Sequence, residues 1–153
     1  MAKEIERKFL VDHTWKPPGN GTAFEQGYLS SVEERVVRVR IEGDKAKLTI
    51  KGKTKGVTRT ELEYEVPVDD ARVMLDGLCE KPVIVKRRHL VEHAGKKWEV
   101  DVFGGDNAGL VIAELELASE DEAFEKPDWV REEVSHDPRY YNSNLVKKPF
   151  KSW

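Results

Sequence analysis

The chain has 153 residues, 36% charged and 39% hydrophobic, and a net charge of −3. This length predicts one domain over 1–153, and the near balance of acids and bases argues against a strongly basic nucleic-acid footprint, so no nucleic-acid partner is expected. The single cysteine, Cys79, excludes an internal disulfide and fits a reducing cytoplasm; no apolar run resembles a signal peptide or a membrane span.

Most of the chain reads as strands of period two. Residues 3–11 place Ile5 and Phe9 on one face and Glu4, Glu6 and Lys8 on the other. Pro17, Pro18, Gly19, Asn20 and Gly21 mark a loop over 12–24, followed by a short strand over 25–31. Strands over 35–42 and 46–52 join through Gly43-Asp44 as a hairpin, and 58–66 alternates Leu62, Tyr64 and Val66 with Arg59, Glu61, Glu63 and Glu65. After Pro67, the spacing of Ala71, Met74, Leu75, Leu78 and Cys79 predicts an amphipathic helix with Asp69 or Asp70 as N-cap. Strands resume at 83–92, 97–103 and 110–118, the first two joined near Ala94-Gly95. Ser119 and Glu122 have capping-box spacing and predict a short helix stopped by Pro127; the aromatic tail over 128–153 is expected to pack on the body.

The charges on these strands come in like pairs at alternate positions. Glu4 with Glu6, Arg38 with Arg40, Glu61 with Glu63, Lys86 with Arg88, Glu99 with Asp101, and Glu114 with Glu116 each share one strand face. Neighbours at i and i+2 lie roughly 7 Å apart. At an effective dielectric of about 20 such a pair costs on the order of 2 kcal/mol. For any one strand, a solvated outer face is the simpler reading. Repetition from strand to strand, with acids and bases kept apart, favours a shared interior that an ionic guest neutralises. About eight strands with few helices would leave long edges in an open sheet, whereas a closed antiparallel barrel removes them. Apolar faces then point outward, and the charged faces line a tunnel suited to phosphate chains with Mg²⁺ or Mn²⁺.

Glu4-Ile5-Glu6-Arg7-Lys8, Gln26-Gly27-Tyr28-Leu29, Arg38-Val39-Arg40, Leu48-Thr49-Ile50-Lys51 and Arg59-Thr60-Glu61-Leu62-Glu63 resemble, in order, the CYTH superfamily of triphosphate tunnel metalloenzymes. Lys86-Arg87-Arg88, Glu99-Val100-Asp101-Val102-Phe103, Glu114-Leu115-Glu116 and Arg139-Tyr140 extend the resemblance over nearly the whole chain, which looks like the compact bacterial members. It implies a mainly β, α+β fold: an eight-stranded closed antiparallel barrel with a few helices outside, binding a small-molecule triphosphate with one or two divalent ions. By position it implies Glu4, Glu6, Glu114 and Glu116 as main metal ligands. Glu61, Glu63 and Asp101 serve a second metal or orient water. Lys8, Arg38, Arg40, Lys51, Arg59, Lys86 and Arg88 grip phosphate. Tyr28 and the Arg139-Tyr140 segment are placed to close one end.

Members of that superfamily include inorganic tripolyphosphatases, thiamine triphosphatases, RNA triphosphatases and class IV adenylyl cyclases. Short loops favour hydrolysis of inorganic tripolyphosphate; a nucleoside or thiamine triphosphatase, a cyclase and a non-catalytic polyphosphate-binding module are the alternatives. Glu63 is the candidate for positioning water, Lys86 for a base if its neighbours depress its pKa, and Tyr28 completes the catalytic set. Gly52-Lys53-Thr54 lacks the earlier glycine of a P-loop, since residue 47 is Lys. His89 and His93 read as surface residues, Cys79 as core, the tryptophans as packing, and Arg7 and Arg87 as outward by parity. Monomer and homodimer both remain open.

Overall fold

Alternation along the strands sorts side chains to two sides of one closed wall. The computed structural model describes residues 3–153. It contains β1 (Lys3–Val11), β2 (Thr22–Val32), β3 (Arg35–Glu42), β4 (Lys45–Lys51), β5 (Thr58–Val66), α1 (Val68–Gly77), β6 (Ile84–His93), β7 (Lys96–Phe103), β8 (Val111–Glu116), β9 (Val130–Glu133) and α2 (Asn142–Lys147). The sheet order is β5-β4-β3-β2-β6-β7-β8-β1-β9, and β1 also pairs with β5. The first eight strands of that order therefore close into the expected antiparallel barrel. Residues Lys3–Ile5 of β1 pair with Thr58–Thr60 of β5. Farther along β1, Phe9 and Val11 pair instead with β9, which covers the edge that β5 has left.

Local chemistry sets the hairpins. Gly43 adopts φ +58° at the first turn position between β3 and β4, a backbone that glycine takes without a Cβ penalty. Ala94 and Gly95 both have positive φ between β6 and β7, the requirement of the I′ turns that match strand twist. Gly27 serves a different need: a Cβ there would lie 2.8 Å from Cys79 Cβ, so the glycine lets the end of the α1 region settle onto β2.

Three apolar clusters stabilise the wall. Outside, Ala71 and Leu75 of α1 pack with Cys79 on Val39, Ile41 and Ala46. Also outside, Phe9, Trp98, Val100, Ala113, Leu115, Leu117 and Val130 form a second cluster, with Phe124, Trp15 and Trp129 against it. The third joins Tyr28, Val36, Ile84, Phe103 and Ile112 to Val134, Tyr140, Leu145 and Val146. Its strand residues share parity with the charged positions, so the carboxy-terminal segment docks α2 on an apolar end of the barrel. The aromatic tail packs on the body as expected.

Five local expectations change. His89, expected at the surface, is buried, its ring edge-to-face with Trp15. The strand expected over 25–31 extends from Thr22 to Val32, because its pairings with both β3 and β6 begin before residue 25. Neither Asp69 nor Asp70 caps α1: Pro67 is the N-cap, its carbonyl accepting from Ala71 N–H. The two aspartates lie in the first turn, where negative charge suits the helix dipole. The helix ends at Gly77, leaving Leu78 exposed rather than on the buried stripe. No helix forms between Ser119 and Pro127. Ala118 N–H donates to the Glu122 carboxylate and Ser119 Oγ to Asp121, satisfying the segment as turns. Pro127 leaves little room for a helix to propagate.

Leu145 is fully buried in the end cluster. Leu145→Ala is expected to lower stability by about 2–5 kcal/mol, read as a reduced midpoint in urea denaturation.

Candidate active site

Strand order turns the like-charged pairs into a wall with two electrical halves. Consecutive strands β4, β3, β2 and β6 bring Lys47, Lys51, Arg38, Arg40, Lys86 and Arg88 to one arc. Consecutive strands β7, β8, β1 and β5 bring Glu99, Glu114, Glu116, Glu4, Glu6, Glu61 and Glu63 to the other. These residues line a cavity of about 500 Å³, joined by Lys8, Arg59, Phe24, Tyr28 and Asn142. Arg7 and Arg87 lie outside it, Arg7 paired with Glu133 and Arg87 donating to the Asn20 carbonyl.

On the basic side, a hydrogen-bonded chain fixes the cations. Asp101, with no exposed surface, lies 2.8 Å from Lys86 Nζ and accepts 2.7 and 2.9 Å bonds from the Arg88 fork. Lys86 Nζ also donates to Asn142 Oδ1 at 2.9 Å, and Gln26 Nε2 donates to the same oxygen. Gln26 Oε1 accepts from Arg40 Nε at 2.8 Å, while Arg40 Nη1 reaches Glu42 at 3.2 Å. Arg38 Nη2 donates to Thr49 Oγ1, which in turn donates to Glu63 at 3.1 Å. Arg38 Nε is buried without a partner among the described residues, a donor left for an anion oxygen.

The acidic side holds carboxylates close enough to require a counter-charge. One oxygen each of Glu6, Glu99 and Glu114 lies within 4.8 Å of the others. Glu4 with Glu61, and Glu6 with Glu114, lie close enough to shift each other's ionisation. Lys51 Nζ bonds both Glu4 oxygens at 3.1 Å and lies 3.4 Å from Glu61. Lys8 Nζ stands 3.9 Å from Glu6 and 4.0 Å from Glu114. Arg59 Nε donates to the Gly52 carbonyl beside this group.

The pKa shifts follow from this crowding. Burial, then Glu114 and Glu4, pushes Glu6 well above the usual carboxylate range. Burial and the Glu4 contact raise Glu61 to about 7. Burial opposes ionisation of Glu4, but Lys51 and Glu61 together outweigh it and lower Glu4 to about 2. Glu114 is likewise held low against burial by Lys8, Arg88 and Lys86. Crowded carboxyl pairs of this kind suit a hard divalent cation, which takes carboxylate oxygens as ligands and relieves their repulsion. Among cations, burial with Arg38 and Arg88 lowers Arg40 to about 10. Burial, with help from Arg88 and Arg40 and against Asp101, lowers Lys86 to about 7.

A CYTH domain model matches residues 2–143. The chain belongs to the CYTH domain family. This CYTH chain is 51% identical over 154 residues to the inorganic triphosphatase of Acetivibrio thermocellus, with 100% of this chain and 99% of that one covered. It is 33% identical over 146 residues to the inorganic triphosphatase of Nitrosomonas europaea, covering 94% and 96% of the two. A crystal structure of an inorganic triphosphatase, also 33% identical, superposes with a TM-score of 0.68 over 95% of each chain.

Within the CYTH barrel, the sequence-derived candidates fare differently. Arg38, Arg40, Lys86 and Arg88 converge on one arc; Lys8 stands among the acids, and Lys51, at the β4–β5 seam of the basic arc, pairs with Glu4 and Glu61. Glu6 and Glu114 meet, and the third carboxylate within 4.8 Å of both is Glu99. Glu116 is exposed opposite Glu6. Asp101 faces inward, yet Lys86 and Arg88 occupy its carboxylate and it does not line the cavity. Tyr28 sits in the apolar end cluster, its hydroxyl accepting from Gln26. Tyr140 joins that cluster while Arg139 pairs with Asp137 away from the cavity. Glu99 was visible as half of a charged pair; Phe24 and Gln26 share the inward parity of Tyr28. Asn142 comes from a segment without strand periodicity and had no such signal.

The ordinary Lys86 pKa is 10.5, so its folded value of about 7 has a definite consequence. Between these values the unfolded chain binds more protons, and stability rises with pH; below about 7 the cost of burying the ammonium is present in full. Urea denaturation of the metal-free protein is expected to show this contribution, with a slope approaching about 1.4 kcal/mol per pH unit, and Lys86→Met is expected to remove it.

Proposed function

We propose that the chain is a metal-dependent inorganic triphosphatase that hydrolyses the terminal phosphoanhydride of tripolyphosphate in the barrel cavity. The observation that carries this reading is the division of one cavity wall into a basic arc and an acidic arc. A polyphosphate meets the first, and cations bound to it meet the second. The names of the Acetivibrio and Nitrosomonas relatives support the inorganic substrate.

Arg38 and Arg40 offer guanidinium N–H groups to phosphate oxygens, and Arg88 offers those not taken by Asp101 and Glu99, with Lys86, Lys8, Lys51 and Arg59 as point charges or further donors. Asp101 is a positioning residue that aims Lys86 and Arg88, rather than a metal ligand. Glu6, Glu99 and Glu114 hold one divalent ion, Mg²⁺ or Mn²⁺; Glu4, Glu61 and Glu116 are the acids available to a second. When bound, such an ion neutralises phosphate oxygens and polarises water.

Hydrolysis also needs a water in line with the leaving oxygen. Glu63 suits its orientation: its partly exposed carboxylate is held by Thr49 at 3.1 Å, Lys47 at 3.6 Å and Arg38 at 3.9 Å. Lys86 has a pKa suited to proton transfer, but its bonds to Asp101 and Asn142 favour the phosphate-binding role. Burial raises Tyr28 and keeps its hydroxyl protonated, so it serves the closed end of the cavity rather than acting as a base. The single thiol, buried and unpaired Cys79, supports a reducing cytoplasmic setting.

Orthophosphate release from tripolyphosphate, ATP and thiamine triphosphate, with Mg²⁺ or Mn²⁺, tests the assignment. Tripolyphosphate is expected to be the preferred substrate, EDTA to abolish release, and Arg38→Ala or Arg40→Ala to lower kcat/KM roughly a hundredfold to a thousandfold. Release that survives full chelation overturns the metal role. Preference for an organic triphosphate overturns the substrate, and tight binding without turnover overturns the enzyme.

A further inference from the structure

Phe24 is a buried aromatic residue that joins none of the three apolar clusters. Its neighbours are cations. Arg40 Cζ and Arg88 Cζ each lie 4.8 Å from its ring centroid, and Lys86 Nζ lies 5.9 Å away. The placement follows from register. On β2, Phe24 pairs with Glu42 of β3 on one side and with Lys86 of β6 on the other. Arg40 and Arg88 are its diagonal neighbours on those two strands, within reach of long side chains. They approach from either side of β2, and the ring stands between two groups that would otherwise repel.

We propose that Phe24 is a positioning residue of the phosphate-binding wall, its ring holding the Arg40 and Arg88 guanidiniums in place for a triphosphate. This rests on the tripolyphosphate reading above. In-plane hydrogen bonds hold each guanidinium from its edges: Gln26 and Glu42 hold Arg40, while Asp101 and Glu99 hold Arg88. The ring adds a contact that those bonds do not make. Its negative face attracts both guanidinium groups and offsets part of their repulsion without occupying N–H donors. An aliphatic side chain of similar volume fills the space but supplies no such field. A carboxylate would supply the charge but compete with the substrate for the same N–H groups.

The test replaces Phe24 in the full chain with 4-fluoro-, 3,5-difluoro- and pentafluorophenylalanine, which retain the ring while draining its negative face. Kinetics on tripolyphosphate with Mg²⁺ are expected to show kcat/KM falling stepwise with fluorination, mainly through KM, to a loss of roughly tenfold or more for the pentafluoro ring. Phe24→Leu is expected to show a comparable loss and Phe24→Tyr to retain most activity. In an Arg40→Ala background the fluorination series should flatten, since one partner of the ring is gone. A flat series in the otherwise unchanged chain, beside a large loss in Arg40→Ala, overturns the role of Phe24 alone. An Arg40→Ala protein with unaltered kcat/KM overturns the phosphate-grip reading on which it rests.

Discussion

The rest of the structure is organised around the cost of placing like charges side by side inside a closed wall. A buried charge without a partner is among the most expensive features a fold can carry, and even a paired one returns little net stability. The Asp101–Lys86–Arg88 group shows how this barrel answers that cost. One carboxylate with no exposed surface serves two cations, and Asn142 and Gln26 connect the group to Arg40. No side chain there has freedom to swing. What the network gains is fixed direction, which matters more for gripping a ligand than for holding the chain together.

Stability must then come from elsewhere, and its sources lie outside and at one end. The clusters around Leu75 and Trp98 bury the outer strand faces under α1 and under the segment carrying Phe124 and Trp129. The cluster around Leu145 joins the barrel end to α2. The same short helix delivers Asn142 to Lys86. Docking of the carboxy-terminal segment therefore couples packing to the geometry of the basic arc: apolar burial of Leu145 and Val146 positions a polar atom that the cation needs.

How much was legible in the sequence depended on the range of the interaction involved. Parity within a strand is local, so the inward charges and the outward Phe9, Val39 and Val100 could be read directly, and the barrel followed from strand number and edges. Which carboxylates meet is a matter of register between strands distant in sequence. Glu6 lies beside Glu114 and Glu99 because β1, β8 and β7 are neighbours, a fact that spacing within Glu4-Ile5-Glu6 does not contain. Asp101 looked like its acidic partner Glu99 in the sequence, yet its opposite residue on β6 is Arg88, and under the proposed reading that pairing makes it a positioning residue. The helix expected at Ser119 shows the reverse failure: local capping chemistry was present, but the backbone satisfied it in turns within a short segment pinned by Phe124.

The segregation of charge by arc also bears on what the cavity selects. A bare polyphosphate would satisfy Arg38, Arg40, Lys86 and Arg88 but would face the crowded carboxylates of β1, β5, β7 and β8, which Lys8 and Lys51 offset only in part. A divalent cation alone would relieve Glu6, Glu99 and Glu114 but leave the cationic arc repelling itself. Only the two together neutralise both arcs, so under the proposed reading each ligand lowers the electrostatic cost of binding the other. By linkage, that coupling is reciprocal. Discrimination then falls on metal–polyphosphate complexes as a class, with the substituent on the triphosphate left to the residues around the rim.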